Sequence, residues 1–136
     1  MAEVKQHKTP PKVLLAEDND DIRRLLVSLI TALGYQVIEA RDGEEAWCLL
    51  QECPPDLIVT DINMPKKSGI DLIKMVRRGR HSPVPIMVMS AYDSGHLRDA
   101  IKAGADIPLR KPDELDRLIE MIDEVLKSKA RRGAGH

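Results

Sequence analysis

The sequence predicts an α/β domain in which five short parallel strands alternate with five helices and the helices cover both faces of one sheet. Three observations carry this. Apolar runs of three or four residues alternate five times with stretches of helical periodicity. Each run is followed by polar or turn-forming residues, so none continues into the helix behind it. At 136 residues the chain is large enough for one substantial core, and no internal repeat or second domain interrupts the pattern.

Residues 1–11, which include Pro10-Pro11, read as a flexible N-terminal tail. The first strand is Val13-Leu14-Leu15-Ala16. The helix behind it carries Ile22, Leu25, Leu26, Leu29, Ile30 and Leu33 at i, i+3, i+4 spacing and stops at Gly34. Tyr35-Gln36-Val37-Ile38 is the second strand. Its helix carries Ala46, Leu49, Leu50 and Cys53 and ends before Pro54-Pro55. Leu57-Ile58-Val59 is the third strand, followed by a helix with Leu72, Ile73 and Val76. Ile86-Met87-Val88-Met89 is the fourth, followed by a thinner stripe of Leu97, Ala100, Ile101 and Gly104. Ile107-Pro108-Leu109 is the fifth, and its helix carries Leu115, Leu118, Ile119, Ile122, Val125 and Leu126. Residues 12–127 thus form the domain, and residues 128–136 read as a flexible basic C-terminal tail.

Strand order follows from polarity. The first, third and fourth runs are continuously apolar, as strands buried on both faces must be. The second reaches out to Gln36 and Glu39, and the fifth holds Pro108, which has no N–H to give a ladder and suits an edge. The order 2-1-3-4-5 satisfies both, which is the flavodoxin-like (βα)5 three-layer sandwich.

Composition excludes several classes of function. A net charge of −1 gives no basic field for nucleic acid, and one Trp, two Tyr and no Phe leave no stacking platform for single strands. Cys48 and Cys53 lack both CxxC spacing and a neighbouring His, so they read as free thiols in a reducing compartment. No leader segment or membrane span is evident, which makes a cytoplasmic location the expectation. A Walker lysine loop and a GxGxxG turn are both missing.

In a parallel sheet the C-terminal strand ends lie on one edge, and ligands bind there at the point where strand order reverses. Glu17 and Asp18 follow the first strand, Asp61 the third, Ser90 the fourth and Lys111 the fifth. Asn19 and Asp20 are good caps for the first helix, but capping does not explain Glu17 and Asp18. Three carboxylates in one crevice repel unless a cation sits between them. Mg²⁺ suits hard oxygen ligands, and Mn²⁺ is an acceptable substitute. A carboxylate can then attack phosphorus to give an acyl phosphate, with Lys111 and Ser90 meeting the phosphoryl oxygens. The irregular turn Met64-Pro65-Lys66-Lys67-Ser68-Gly69 leaves backbone groups free to face the site.

The ordered set LLAED, VTDINMPKKSG, MVMSA and LRKP resembles the receiver domain of bacterial two-component response regulators, across nearly all of residues 12–127. The resemblance is to the chemotaxis-receiver type and implies a stand-alone regulator. It implies that Asp61 accepts a phosphoryl group from a sensor histidine kinase or histidine phosphotransfer protein, as a switch or a phosphorelay shuttle. It also implies that Asp18 and Asp61 bind the metal directly, Glu17 through water, and Asn63 through its backbone carbonyl. By the same resemblance Ser90 is the switch hydroxyl, Lys111 the phosphate-binding lysine, and Lys111-Pro112 a cis peptide. Any catalysis is then of the protein's own phosphorylation and dephosphorylation, with no separate substrate turned over. A downstream protein would dock on the face formed by helix 4, strand 5 and helix 5, with the chain a monomer or weak dimer. Pro108 departs from the family, which usually places an aromatic switch residue there; Tyr92 is the nearest replacement. Asp113 stands where an apolar residue is common. These departures motivate a rival reading, a protein-interaction module that works without phosphorylation.

Overall fold

A computed structural model describes residues 9–80, 83–90, 94–111 and 114–134. Five strands, β1 (Lys12–Ala16), β2 (Gln36–Ala40), β3 (Leu57–Asp61), β4 (Ile86–Ser90) and β5 (Ile107–Arg110), form one parallel sheet in the order β2-β1-β3-β4-β5. The helices are α1 (Asp20–Ala32), α2 (Gly43–Glu52), α3 (Gly69–Arg78), α4 (Ser94–Ala103) and α5 (Leu115–Ala134). The predicted order is therefore the observed one. β3 and β4 are buried along their whole length, whereas β2 and β5 are only partly covered, as edge strands should be.

Alternation along the strands builds two cores. Val13, Leu15, Leu57, Val59, Met87 and Met89 face one way and pack with Leu26 and Ile30 of α1 and Leu118, Ile122 and Leu126 of α5. Leu14, Ile58, Ile86 and Val88 face the other way, toward Ala46 and Leu50 of α2, Leu72, Ile73 and Val76 of α3, and Leu97 and Ala100 of α4. At about 25 cal/mol per Å² of apolar area removed from water, these aliphatic layers do the work that aromatic side chains do elsewhere.

Two expectations shift. The stripe of α1 is not buried across its width: Leu26 and Ile30 are covered, but Leu25, Leu29 and Leu33 are 48%, 37% and 38% exposed. Those three leucines lie on one i, i+4, i+8 row, turned away from the sheet, and the row that is buried includes Arg23 instead. A second difference lies in the last helix. α5 continues to Ala134, and Lys129, within the presumed tail, donates to the Asp56 carboxylate (3.3 Å) and carbonyl (3.4 Å). That anchor holds the helix against the start of β3.

The starts of the helices on the site edge are set locally. Asn19 caps α1 by accepting the Ile22 N–H, and Gly34 ends the turn beyond it with φ +97°, a conformation that costs glycine nothing. Ser68 and Asp71 form a reciprocal capping box on α3. No helix among the described residues is long and apolar enough to cross a membrane.

Candidate functional site

The sheet hydrogen bonds continue one residue past the strands and aim the polar side chains. Glu17 N–H donates to Ala40 carbonyl (3.0 Å), Ile62 N–H to Met89 carbonyl (3.0 Å), and Lys111 N–H to Ser90 carbonyl (2.8 Å). Asp61 and Ser90 are the last residues of β3 and β4, while Glu17 and Lys111 directly follow β1 and β5. All four are thereby fixed at one edge. Glu17, Asp18 and Asp61 each present a carboxylate oxygen, all within 4.8 Å of one another. The Lys111 ammonium donates to Glu17 Oε1 at 2.7 Å and to Asp61 Oδ2 at 3.2 Å. The remaining oxygens are held by backbone: Asp61 Oδ1 accepts from Ile62 N–H (2.8 Å) and Glu17 Oε2 from Asn19 N–H (3.1 Å).

This is an electrostatically loaded place. Glu17 is fully buried and Asp61 nearly so, while Asp18 is exposed. Burial pushes the Asp61 carboxyl above its ordinary pKa, against the opposing charge of Lys111. Burial likewise raises Glu17, with Lys111 opposing and the Asp61 charge adding to the rise. Burial works to lower Lys111, but the bond to Glu17 and the charge of Asp61 outweigh it, so its pKa is raised and it stays an ammonium. One ammonium for three acids leaves two negative charges unbalanced. The donor set, hard oxygens on a half-open rim, fits a small divalent cation such as Mg²⁺.

The turn after β3 is folded back tightly. Gly69 N–H donates to Ile62 carbonyl (2.8 Å), and a Cβ at Gly69 would lie 2.1 Å from the Asp61 carbonyl oxygen, so only glycine fits. Across the turn, Gly43 N–H at the start of α2 donates to Lys67 carbonyl (3.0 Å), and a Cβ there would lie 2.1 Å from that oxygen. Lys66 takes φ +66° between these two anchors. Asn63 stands exposed in this turn, two residues past Asp61.

The structure thus brings Glu17, Asp18, Asp61 and Lys111 into one cluster. Ser90 is buried at the end of the neighbouring strand, where Asp61 pairs in register with Met89. Tyr92, Pro112 and Asp113 lie outside the described residues, so the expectations about a replacement switch residue, a cis peptide and the residue at 113 do too. Sequence reading missed Arg23, which is 7% exposed and donates to the Glu17 carbonyl at 2.8 Å. Its only signal was a charge on the row that carries Leu26 and Ile30. Thr60, also missed, is buried and donates to the Asp61 carbonyl (2.9 Å).

Comparison with known proteins agrees with this edge. Residues 13–123 match the family model described as response regulator receiver domain. The response regulator protein PilR of Pseudomonas aeruginosa is 37% identical over 117 residues, which are 85% of this chain and 26% of that protein. A chemotaxis protein CheY homolog of Campylobacter jejuni is 34% identical over 127 residues, 90% of this chain and 98% of the other. Among solved structures, the Francisella response regulator 1452 receiver domain superposes with a TM-score of 0.80 at 33% identity, covering 88% of this chain and 98% of that one. The chain spans only a quarter to about half of the first transcriptional regulators it matches. An acidic cluster with a lysine at the carboxyl edge of a 2-1-3-4-5 sheet, the family match and these relatives agree: the chain belongs to the response regulator receiver domain family of two-component signalling.

Proposed function

We propose that Asp61 is the phosphoacceptor of a Mg²⁺-dependent phosphorylation switch or phosphorelay shuttle, loaded by a histidine kinase or histidine phosphotransfer protein. The observation that carries this is the contact of Lys111 with both Glu17 and Asp61 beside an acid triad two charges short of balance. Asp18, Asp61, the Asn63 carbonyl and, through water, Glu17 would hold the ion. When bound, Mg²⁺ supplies positive charge to the phosphoryl oxygens during transfer.

The chain's own residues do the rest. A carboxylate oxygen of Asp61 attacks phosphorus in line with the bond to the donor imidazole. The P–N bond breaks, its electron pair leaves with the imidazole nitrogen, and an acyl phosphate forms on Asp61. Burial favours the protonated form of Asp61 and Lys111 opposes it, so the ammonium favours the ionised carboxylate that attacks. Lys111 then turns from Asp61 to a phosphoryl oxygen, and the Ser90 hydroxyl donates to another. Asn63, exposed two residues past Asp61, would control the access of hydrolytic water. A cytoplasmic location accompanies this reading.

Output is proposed for the face formed by α4, β5 and α5, where Leu97, Arg98, Ile101, Pro108, Arg110 and Glu114 line a groove. Ile101 is 41% exposed there. One observation favours a second reading, a phosphorylation-independent interaction module. Pro108 occupies an exposed position of the edge strand, and a pyrrolidine ring has no rotamer change with which to report phosphorylation. Amide exchange over residues 91–126 with and without beryllofluoride separates the two: a switch alters protection, a passive module leaves it unchanged. Phosphorylation itself is tested with acetyl phosphate and Mg²⁺. The wild type should gain one phosphoryl mass and Asp61→Asn none; a wild type that binds Mg²⁺ yet stays unmodified overturns the proposal.

A further inference from the structure

We infer that Arg23 is a positioning residue for the metal-binding acids: it sets the plane of the Glu17–Asp18 peptide and so the direction in which Asp18 meets the ion. The inference rests on the metal-binding reading proposed above and adds a residue that does not itself reach the ion.

Arg23 lies one turn into α1, in a place the helix otherwise fills with apolar side chains, and is 7% exposed. Its guanidinium is shared three ways. Nη1 donates to the Glu17 carbonyl at 2.8 Å in a buried contact, Nε to Glu39 Oε1 of β2 at 3.3 Å, and Nη2 to Asp20. The fork therefore ties the β1–α1 turn to the edge strand and to the first turn of α1. A lysine has one nitrogen and no fixed fork, so it cannot reproduce this geometry.

The consequence falls on Asp18. Every polar atom of Glu17 has a partner: its N–H on Ala40, its carbonyl on Arg23, Oε1 on Lys111 and Oε2 on Asn19 N–H. The Asp18 carboxylate makes no hydrogen bond or ion pair among the described residues, so the backbone, by setting its Cα–Cβ direction, is what limits the arc it can sweep toward the ion. The Glu17 carbonyl and the Asp18 N–H belong to one rigid peptide plane. Clamping the carbonyl oxygen from α1 fixes that plane on one side of Asp18, and the Asn19 N–H bond to Glu17 fixes the chain on the other. Residues that orient metal ligands from behind typically change affinity by about 10–100-fold when removed.

Arg23 also carries a positive charge near the acids, and that effect has the opposite sign. Losing the charge should tighten Mg²⁺; losing the clamp should weaken it. The two are separated by Arg23→Lys, which keeps the charge, and Arg23→Gln, which does not. Ile30→Ala, a buried position two turns further along the same helix, controls for general destabilisation. Mg²⁺ affinity is measured by titration of the full chain without any phosphodonor, beside urea unfolding and amide exchange of the metal-free proteins.

The expected result is a Kd for Mg²⁺ about tenfold higher in Arg23→Lys, a smaller rise in Arg23→Gln, and no more than a twofold change in Ile30→Ala. Faster exchange of the Asp18 and Asn19 amides in metal-free Arg23→Lys is expected as well. Wild-type affinity in Arg23→Lys, or an equal loss in Ile30→Ala at matched stability, overturns the inference. If the wild type itself binds no Mg²⁺, the metal-binding reading falls and takes this one with it. If the wild type binds and Arg23→Lys matches it, only the role of Arg23 falls.

Discussion

The Lys111 ammonium stands 3.2 Å from Asp61 Oδ2, although fifty residues separate them in the chain. Both side chains are 8% exposed, so the contact is made with little water around it. The same nitrogen is closer still to Glu17. This lysine is therefore a counter-ion for the acids, and in the proposed mechanism it becomes a ligand for the phosphoryl group once one arrives.

Replacing Lys111 should separate those two duties. At a pH where the acids are ionised without its help, Lys111→Met removes a competing cation, so Mg²⁺ binds more tightly than in the wild type. Phosphorylation by acetyl phosphate slows by roughly a hundredfold, the cost of losing one charged donor to a developing anion. Titration and stopped-time mass spectrometry check the pair; equal losses in both would mean that the lysine serves only to hold the fold.

Acidity should act on the metal and on the apo protein in opposite directions. Burial raises the folded-state pKa of Asp61 and Glu17 above their ordinary values, so the native protein binds these protons at a higher pH than the unfolded chain does. Their stabilising contribution is fully present below the ordinary carboxylate pKa of about 4 and is lost as pH rises through the folded values. Metal-free protein should thus gain stability from these two groups on mild acidification. Mg²⁺ affinity should fall over the same window, because ligands must be ionised. Asp61→Asn should melt at a higher temperature than the wild type in metal-free buffer at neutral pH, with a flatter pH response. A lower melting temperature for that variant would show that the ionised carboxylate is stabilising where it stands.

Gly69→Ala should damage both fold and site. The added methyl would stand 2.1 Å from the Asp61 carbonyl oxygen, and backbone has to move to admit it. Overpacking of this kind costs about 1–3 kcal/mol. Because the displaced atom belongs to Asp61, Mg²⁺ affinity should drop alongside the urea midpoint. An unchanged midpoint would mean that the turn is looser than drawn.

Tyr35 should titrate late. Its hydroxyl donates to Asp123 Oδ1 at 2.6 Å, and burial with that bond pushes the phenol up to about 12. The contribution to stability is complete below the ordinary phenol value of about 10 and is lost as pH rises through about 12. Tyrosinate absorbance, with Tyr35→Phe as the reference for the other tyrosine, should show one late transition that disappears in the variant. Two transitions both near the ordinary value would count against the bond.

Much of this was legible in the sequence because hydrophobic burial and polar placement left separate marks. Continuous apolar runs marked β1, β3 and β4 as internal, and Pro108 and Gln36 marked the edges, which sufficed for strand order. Once the order is known, Glu17, Asp18, Asp61 and Lys111 must converge, since parallel strands end on one side. Arg23 was not legible. A charge on a buried row looks like a break in periodicity until the Glu17 carbonyl that it satisfies is in view. The close approaches at Gly43 and Gly69 were hidden for a similar reason: each is a contact with backbone across a turn, and a glycine letter does not say what it avoids. The full run of α5 was not legible because a basic, small-residue stretch carries no apolar stripe, and the Lys129–Asp56 pair spans distant parts of the chain.

On the proposed mechanism it is the carboxylate of Asp61 that takes up phosphorus. Its most direct measurement is borohydride reduction of the protein after exposure to acetyl phosphate and Mg²⁺, followed by peptide mapping. An acyl phosphate is reduced to the alcohol, so the account predicts homoserine at position 61 and at no other acid. Homoserine at Asp18 or elsewhere, or none at all in a wild type that binds Mg²⁺, would contradict it.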